Sequence, residues 1–424
     1  MKNRIIRLTA AFLLIVTVVM SLSSCVELEF YTNLFDYLQN QDGGNGEGGD
    51  GGDGGYDGNF GDLFPNVQDT PTSDNIGEFY PGSGEGDTSG LDFSAKMMLS
   101  TVTIVCNFGE SVSAGSGVIY KVDKKSGDAY IITNYHVVYA AGYGKADTIK
   151  LYLYGMHLSS YAINAILVGG SVTYDIAVLK VTGSTVIKNS YATAAAIGVS
   201  DDVRVLDRVY AVGNSEGMGM SVTEGIVSVE SESLDLTGAD NSLITLRVMR
   251  VDAAVNHGNS GGGLYDAEGR LIGIVSAKDV SSDVDNMGYA IPSDLVVKLA
   301  NNIIDLCNGV SNTKVTKALM GITITAYVSG LQISPEGDKV YEVNLVEVIE
   351  ISKGSLAEGK VLVGDIVNSI TVDGKKTEVL RIHHVTDAML DARVGSKVVL
   401  NITRNGKTMD IIFTVSEDNF TTVN

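Results

Sequence analysis

Short apolar runs separated by turn residues dominate the chain from Lys96 to about Ala290. The runs cover residues 98–106, 117–122, 129–134, 148–153, 175–181, 208–212 and 271–276. No long helical pattern lies between them, and this spacing favours an all-β barrel or sandwich. Residues 292–294 then precede apolar positions at helical spacing up to Leu306, which predicts a capped amphipathic helix that closes this unit.

A second, smaller unit follows in the pattern. Residues 308–317 are polar and lack an apolar face, which predicts a linker. From Ala318 onward, predicted strands at 361–366, 398–404 and 410–415 alternate with a predicted helix at 385–394, and Asn405-Gly406 predicts a two-residue hairpin turn. The chain therefore divides into five predicted segments: 1–24, 25–95, 96–307, 308–317 and 318–424.

The first segment has the features of an export signal. Residues 1–24 combine a basic start, an apolar run from Leu8 to Met20 and small residues directly before Cys25. The tetrapeptide at 22–25 resembles a bacterial lipobox, in which the cysteine thiol is acylated and becomes the new N-terminus. The apolar run is short for a membrane span of about 20 residues, so lipidation is favoured over a transmembrane anchor. We therefore predict an exported lipoprotein on the outer face of the cell membrane or in the envelope.

Glycine and acidic residues dominate the second segment. Residues 41–90 alternate glycine with Asp, Glu, Asn and Ser, and such a composition cannot bury a core. We predict a disordered tether over residues 25–95 that holds the folded part away from the membrane. The whole chain has a formal net charge of −21, which disfavours binding to nucleic acid and to anionic lipid headgroups.

Two cysteines remain besides Cys25. Cys106 lies in an apolar strand-like run and Cys307 follows an apolar helix-like run. Burial of both as free thiols is favoured over a disulfide, although the sequence leaves their pairing open.

A glycine-rich loop around Ser260 carries the strongest sign of chemistry. Residues 256–263 read Asn-His-Gly-Asn-Ser-Gly-Gly-Gly. A nucleophilic serine needs such a tight turn, because its hydroxyl must stand clear while backbone N–H groups converge on the developing oxyanion. The N–H groups of Gly258 and Ser260 are spaced to supply these donors. By itself, the run also fits an ordinary turn.

A base and a carboxylate complete the pattern. Among only five histidines, His136 ends a strand-like run where a side chain can face a cleft, whereas His257 is too close to Ser260 in sequence to act as its base. Asp175 stands at the mouth of an apolar strand, where an unpaired charge would be costly, so a partner is expected. The order His, Asp, Ser is that of the chymotrypsin-type double barrel. We predict that His136, Asp175 and Ser260 form a catalytic triad.

As an ordered set, these motifs resemble the HtrA/Deg family of serine proteases. The segments that carry the resemblance are 116–119, 133–138, 175–180, 223–228, 256–263 and 289–293. Further along, Met320, Gly321 and Ile322 resemble the carboxylate-binding loop of a PDZ domain, followed by similar motifs at 360–367, 394–397 and 404–407. The resemblance implies a mainly β fold: a chymotrypsin-like double β-barrel protease domain followed by a small α+β PDZ domain.

The resemblance also implies a function. The expected activity is that of a serine endopeptidase acting on unfolded or damaged exported proteins, with peptide C-termini bound at the PDZ domain. It implies that neither a metal nor an organic cofactor is needed. It also implies a homo-oligomer, a trimer, and Phe79, Tyr80 and Phe93 are candidate contact aromatics. Three alternatives stay open: a signalling protease that cuts one membrane-bound regulator, a chaperone or binding protein without turnover, and a C-terminal module without a ligand.

Two residues near Ser260 depart from the family pattern. His257 stands where the family commonly has proline or another residue, and Gly263 replaces the proline that usually follows Gly-Gly. Extra glycine predicts a looser loop with an oxyanion hole that is disordered at rest.

Ala254 and Val255 precede the serine in the stretch that forms the primary pocket of double-barrel proteases, and they predict cleavage after small or medium apolar residues.

Overall fold

A computed structural model describes residues 91–423, apart from 157–158, 216–218, 277–286, 308–312 and 334–339. The predicted signal peptide, Cys25, most of the predicted tether and the aromatic residues Phe79 and Tyr80 lie outside the described residues. Within the described ranges, no helix is long and apolar enough to cross a membrane. Both thiols are free, as predicted, but only Cys106 is buried, whereas Cys307 is half-buried.

Six antiparallel strands close into a first barrel. In chain order the elements are α1 (Phe93–Leu99), β1 (Thr101–Phe108), β2 (Ser111–Asp123), β3 (Asp128–Thr133), α2 (Tyr135–Val138), β4 (Tyr139–Ala140), β5 (Gly144–Lys145), β6 (Thr148–Leu153), β7 (Ile163–Ser171), β8 (Ile176–Val181) and α3 (Thr185–Lys188). The sheet runs β7-β6-β1-β2-β3-β8, and an additional β7–β8 pairing closes it. Alternate residues of β1, such as Val102, Ile104 and Cys106, belong to the apolar core of this barrel.

A second barrel follows directly. Its elements are β9 (Arg208–Gly213), β10 (Ser221–Thr237), β11 (Leu243–Val251), β12 (Gly263–Asp266), β13 (Leu271–Val275) and β14 (Gly288–Pro292), and then comes α4 (Ser293–Leu306). The strands close in the order β10-β11-β14-β13-β12-β9. The prediction of a mainly β chain with a double barrel is thereby confirmed.

Helix α4 begins where predicted, but its cap differs from the prediction. The Ser293 hydroxyl donates to the carbonyl of Gly198 at 2.9 Å, and the helix has Pro292 at its N-cap position without a side-chain cap bond. The Asp294 carboxylate accepts hydrogen bonds from the neighbouring 3₁₀ turn instead. The buried apolar face of α4, rather than a serine cap, therefore holds the helix against the barrels.

The C-terminal unit, residues 313–423, is built on a sheet of its own. Its elements are β15 (Thr313–Ala318), β16 (Ile322–Ile333), β17 (Val340–Ile351), β18 (Ile366–Val372), β19 (Lys375–Glu378), α5 (Ile382–Ala388), β20 (Lys397–Arg404), β21 (Lys407–Thr414) and β22 (Phe420–Val423). The strand order is β16-β17-β18-β20-β21, with β19 on β18. Asn405 and Gly406 both have positive φ, 51° and 73°, as the predicted two-residue hairpin turn requires.

Two predicted elements of this unit were wrong in type or extent. Residues 361–366 form a turn that leads into β18, in which the N–H of Leu362 donates to the Asp365 carboxylate at 2.8 Å. The apolar run there misled the strand prediction, because Leu362 and Val363 are exposed. Helix α5 covers residues 382–388, earlier than the predicted 385–394.

Strand β15 joins the C-terminal unit to the first barrel. It pairs antiparallel with β22 and parallel with β7 at Thr313↔Gly169 and Lys314↔Gly170. A Cβ on Gly169 would lie 2.0 Å from the carbonyl oxygen of Thr313, so only glycine permits this approach. Val315 is fully buried. Residues 313–317, which the polar pattern assigned to a linker, are therefore part of a packed sheet.

Partly buried ion pairs and a buried amide connect the two units. Arg247 on β11 pairs with Asp387 on α5 at 2.6 Å, with 14% and 11% of their side chains exposed. Arg381 pairs with Glu230 in the same interface. The fully buried Asn302 on α4 donates to the carbonyl of Leu390 at 3.0 Å. Removal of one partner from such a buried pair leaves an unpaired charge, so these contacts specify one orientation of the two units.

The imidazole of His383 is half-buried in this interface. Its Nε2 lies 3.6 Å from Oδ1 of Asp201, and Nε2 of His384 lies 3.5 Å from Oδ2 of the same carboxylate. Burial lowers the pKa of His383 below its ordinary value despite the neighbouring carboxylate of Asp201. Burial also opposes ionisation of Asp201, but the two imidazoles outweigh it and hold the pKa of that carboxyl well below its usual range. At neutral pH the interface therefore holds a charged Asp201 beside a neutral His383.

We expect acidification to destabilise the folded protein through His383. Folding favours its neutral form, so this contribution is complete above the unfolded pKa of about 6.5 and is lost as the pH falls through the lower folded-state value. The free energy of unfolding, measured by urea titration between about pH 7.5 and 5.5, should fall less steeply for His383→Gln than for the parent. Equal slopes for the two proteins would contradict this account.

Candidate active site

The segment that carries His136 is positioned by the end of β3 and by Asp175. Asp175 lies in the turn before β8 with φ 49°, a left-handed conformation that aspartate tolerates better than most residues. In this conformation its carbonyl accepts hydrogen bonds from Tyr135 N–H at 3.2 Å and from the Asn134 amide at 3.0 Å. Its carboxylate accepts the N–H of His136 at 3.1 Å. Backbone and side chain of one residue thus anchor three consecutive residues of the histidine segment.

The imidazole of His136 bonds to the same carboxylate. Nδ1 lies 2.8 Å from Oδ2 and 3.0 Å from Oδ1 of Asp175. The aspartate is 1% exposed, whereas 20% of the histidine side chain is exposed. Because an ionised carboxylate only accepts hydrogen bonds, Nδ1 carries the proton and Nε2 of the neutral ring is left able to take one. Asp175 therefore fixes both the tautomer and the orientation of a solvent-accessible base.

The serine loop, residues 256–262, is ordered by its own backbone and by strand β13. Asn259 N–H donates to the carbonyl of Asn256 at 3.1 Å, and Gly262 N–H donates to that of Asn259 at 2.9 Å. Gly261 N–H donates to the carbonyl of Val275 on β13 at 2.9 Å. Gly258 and Gly261 have φ values of 88° and 83°, which L-residues with a Cβ rarely adopt. These glycines are needed by the turn that presents Ser260.

The serine loop packs directly against the histidine segment. A Cβ on Gly261 would lie 2.2 Å from Oγ1 of Thr133, which stands three residues before His136. The N–H of Ser116 on β2 donates to the carbonyl of Ser260 at 2.8 Å. The three residues predicted to form the triad thus lie on segments that contact one another at the junction of the two barrels.

Gly263 has a packing role that the sequence did not indicate. It lies in β12 and pairs with both Val212 and Ile274, so it belongs to the barrel rather than to a loosened loop. A Cβ there would lie 2.3 Å from the ring of Tyr265. That ring is fully buried and its hydroxyl bonds to two residues at the end of α1. Glycine at 263 makes room for the tyrosine, and the expected loosening of the loop does not extend to this position.

The predicted pocket residues lie beside β10 and β14. Ala254 is exposed, and its carbonyl accepts the Thr223 hydroxyl at 2.8 Å. Val255 is half-buried, with a methyl group 2.8 Å from where a Cβ on Gly288 would lie. The Asp252 carboxylate accepts the N–H of Ile226 at 2.6 Å. Asp252, the acidic residue nearest in sequence to Ala254 and Val255, is therefore already hydrogen-bonded to the backbone of β10.

Two serines of the site were missed by sequence reasoning. The hydroxyl of Ser276, which is buried, donates to Oδ2 of Asp175 at 3.3 Å. The hydroxyl of Ser116 donates to the carbonyl of Gly258 at 2.7 Å. Ser276 ends a predicted strand and Ser116 opens a Ser-Gly-Val-Ile motif. Neither pattern indicates the hydrogen-bond partner, which lies more than a hundred residues away in the sequence.

The residues predicted to bind a peptide carboxylate form a tight turn before an edge strand. Gly321 has φ 77°, and a Cβ there would lie 2.1 Å from Cβ of Ser355. Met320 is buried, and its carbonyl accepts the N–H of Ala357 at 3.0 Å. Ile322 begins β16, which is the first strand of its sheet. The turn therefore leads directly into an edge strand of the sheet.

Among the residues that the structure describes, one group of side chains offers ligand atoms close enough to share a metal ion. Single ligand atoms of Asp201, His383 and His384 lie within 4.8 Å of one another. A metal-bound histidine normally donates its other ring N–H. Nδ1 of His384 instead accepts the N–H of Leu380 at 3.1 Å, so the neutral ring carries its proton on Nε2, facing Asp201. This geometry favours a hydrogen-bonded cluster over a metal centre.

Comparison with known proteins identifies the family. Residues 115–274 match the trypsin-like peptidase domain. The serine protease Do-like HtrA of Lactobacillus helveticus is 32% identical over 316 residues, which cover 71% of this chain and 68% of that protein. The chain belongs to the HtrA family of serine proteases. In this HtrA-family chain, the matched peptidase region contains His136, Asp175 and Ser260.

Two further relatives and one solved structure show similarity to the same family. The serine protease Do-like HtrA of Bacillus subtilis is 32% identical over 303 residues, covering 70% of this chain and 62% of that protein. The periplasmic pH-dependent serine endoprotease DegQ of Escherichia coli is 32% identical over 307 residues, covering 71% of this chain and 59% of that protein. The solved structure of the HtrA-type protease AlgW with a tripeptide superposes with a TM-score of 0.51 at 27% identity, covering 76% of this chain and 95% of that one. The match thus spans 59–68% of the length of these three sequence relatives.

Proposed function

We propose that this HtrA-family chain is an endopeptidase that hydrolyses unfolded or damaged exported proteins through Ser260, His136 and Asp175. The observation that carries the proposal is the 2.8 Å bond between Nδ1 of His136 and the buried Asp175 carboxylate, on a segment packed against the serine loop. Such a pair prepares Nε2 to accept a proton from a nearby hydroxyl. The family relatives, which are named as serine proteases, support the same chemistry.

The proposed reaction is acyl transfer to water. Oγ of Ser260 attacks the scissile carbonyl carbon while Nε2 of His136 takes the hydroxyl proton, and Asp175 stabilises the resulting imidazolium. Collapse of the tetrahedral intermediate breaks the C–N bond, and His136 gives its proton to the leaving amine. Water then attacks the acyl-enzyme by the same route and regenerates Ser260. The N–H groups of Gly258 and Ser260 are proposed to hold the oxyanion in both steps.

Ser260→Ala and His136→Ala should each reduce hydrolysis of an unfolded substrate by about 10⁴-fold or more, because triad members act as one unit. Fluorophosphonate labelling should modify the parent at Ser260 and leave Ser260→Ala unmodified. Circular dichroism should show that both variants stay folded. Retained turnover in either folded variant would refute the triad, and a parent that binds unfolded protein without turnover or labelling would be a chaperone instead.

Cleavage is proposed to follow small or medium apolar residues. The pocket residues Ala254 and Val255 carry no charge, and the nearest acid, Asp252, already accepts a backbone N–H. A buried Lys or Arg side chain would find no partner there, and an unpaired cation is costly. Val255 narrows the pocket against large aromatic rings. Residues 277–286 lie outside the described ranges, so the proposal rests on the wall formed by residues 252–255.

Mass spectrometry of fragments from an unfolded substrate should find most cuts after Val, Ala, Ile or Leu. The preference should be graded, because one apolar group changes discrimination by about 1–3 kcal/mol. Val255→Ala should shift the distribution toward Leu and Phe by enlarging the pocket. A majority of cuts after Lys or Arg would show that the pocket assignment is wrong even if the triad is right.

We propose that the C-terminal unit is a PDZ domain that binds peptide C-termini at Met320, Gly321 and Ile322. An extended peptide would add to the free edge of β16, with its carboxylate at the glycine turn. Helix α5 lies beside this edge, and its residue Asp387 forms the buried ion pair with Arg247 of the protease unit. Peptide binding beside α5 is therefore suited to change the contact between the units.

A peptide with a free apolar C-terminus should raise the rate of substrate hydrolysis by about 5-fold or more, which corresponds to a typical coupling free energy between two sites. The same peptide with an amidated C-terminus is the matched control and should have little effect, because it lacks the carboxylate. Binding of the free peptide without any change in rate would leave the PDZ domain as a substrate tether only.

Attachment and assembly complete the proposal. Cys25 is proposed to carry the lipid that anchors the chain in the envelope, which agrees with the periplasmic location named for DegQ.

A homo-trimer is proposed, with Phe93 as a contact residue. Phe93 is 41% exposed at the rim of an apolar cavity of about 670 Å³. The other side chains at this cavity include Leu91, Met98, Tyr154, Tyr191 and Tyr210. An exposed apolar patch of this kind fits a surface that a second copy covers.

A further inference from the structure

Every polar atom of Ser116 on β2 takes part in a hydrogen bond to a neighbouring segment of the protease unit. Its hydroxyl donates to the carbonyl of Gly258 at 2.7 Å and accepts the N–H of Asn214 at 2.8 Å. Its N–H donates to the carbonyl of Ser260 at 2.8 Å, and its carbonyl accepts the Thr133 hydroxyl at 2.7 Å. The residue is fully buried. One side chain and its peptide group therefore contact the serine loop, the second barrel and the histidine segment.

The two loop carbonyls that Ser116 holds belong to the residues proposed to bind the oxyanion. Each carbonyl lies in a rigid peptide plane, so the bonds to Gly258 and Ser260 fix the planes that follow these residues. The Ser260 N–H lies in the plane between them, and the carbonyl of that plane, on Asn259, is held by Gly262 at 2.9 Å. Three successive planes of the serine loop are thereby fixed, and two of them depend on Ser116.

The sequence around Ser116 is shaped to allow this contact. A Cβ on Gly115 would lie 2.8 Å from both methyl groups of Val137 and 3.2 Å from the carbonyl oxygen of Ser260. A Cβ on Gly117 would lie 2.7 Å from a methyl group of Ile131. Glycine at 115 therefore lets β2 approach the serine loop closely, and glycine at 117 makes room for core side chains of the first barrel beside Ser116.

We propose that Ser116 is a positioning residue of the protease, which sets the oxyanion-binding N–H of Ser260 by holding the carbonyls of Gly258 and Ser260 on either side of it. This inference rests on the proposed function of the serine loop. Removal of the hydroxyl takes the hydrogen-bond partner from the carbonyl of the half-buried Gly258 and from the buried N–H of Asn214. The peptide plane after Gly258 then loses its fixed orientation. The reaction should lose stabilisation of the transition state while substrate binding and the His136–Asp175 pair are retained.

The test compares Ser116→Ala with Ser293→Ala in the full chain. Both changes remove a fully buried serine hydroxyl that donates to a backbone carbonyl, Gly258 in one case and Gly198 in the other. Ser293 lies at the start of α4 and has no bond to the serine loop among its described contacts. We expect Ser116→Ala to lower kcat by about 10- to 100-fold, less than the loss of a direct oxyanion donor. KM and the pH midpoint of kcat/KM should change little, and Ser293→Ala should keep the parent kcat.

A second readout separates positioning from general damage. A peptidyl trifluoromethyl ketone forms a tetrahedral adduct whose oxyanion needs the same N–H groups, so its affinity should fall in Ser116→Ala in parallel with kcat/KM. The affinity of the corresponding cleaved peptide should stay within about 2-fold of the parent value. If Ser116→Ala does not fold, Ser116→Cys, which keeps a weak donor, should show a smaller loss of the same kind.

The outcomes are distinguishable. An active parent with equal kcat in Ser116→Ala and Ser293→Ala would overturn the role of Ser116 and leave the proposed function intact. Parallel losses of adduct and cleaved-peptide affinity would also overturn it, because they indicate a damaged binding site. A parent that neither turns over nor forms the adduct would refute the proposed function, and the positioning role with it.

Discussion

The buried carboxylate of Asp175 is the constraint on which the protease unit depends. A charge with 1% exposure must be surrounded by donors, or the cost of burying it exceeds what the fold can offset. The donors come from both barrels: the backbone and ring of His136 after β3, and the hydroxyl of Ser276 after β13. The two barrels must therefore meet at this residue, and the His136 side chain, 20% exposed, lies at their junction.

Close backbone contact is the second constraint. The serine loop lies so near β2 and β3 that a Cβ on Gly261 would stand 2.1 Å from the carbonyl oxygen of Ser116. Because no side chain fits there, main-chain groups and short hydroxyls make the connections, and the loop takes its shape from the barrels rather than from its own preferences. Interiors packed this tightly transmit small displacements, which is why one buried hydroxyl is placed to influence the geometry of Ser260.

The C-terminal unit is joined to this arrangement at two kinds of contact. Strand β15 extends the sheet of the first barrel, and the Arg247–Asp387 pair links α5 to β11. Strand β11 ends at Val251, a few residues before the serine loop. Strand β11 therefore runs from the contact with α5 at Arg247 towards the serine loop.

The sequence by itself determined the mainly β character, the double-barrel order and the residues proposed for catalysis, because these depend on local alternation and on short motifs such as the one around Ser260. It did not determine the partners of those residues. Ser276 at the Asp175 carboxylate, the Ser293 hydroxyl directed away from its own helix, and strand β15 inside a predicted linker all depend on groups distant in sequence. A hydroxyl or a polar strand carries no local sign of which buried carbonyl or sheet edge will accept it. Only the tertiary structure decides that, because a buried polar group must find its partner among whatever the packing brings within hydrogen-bonding distance.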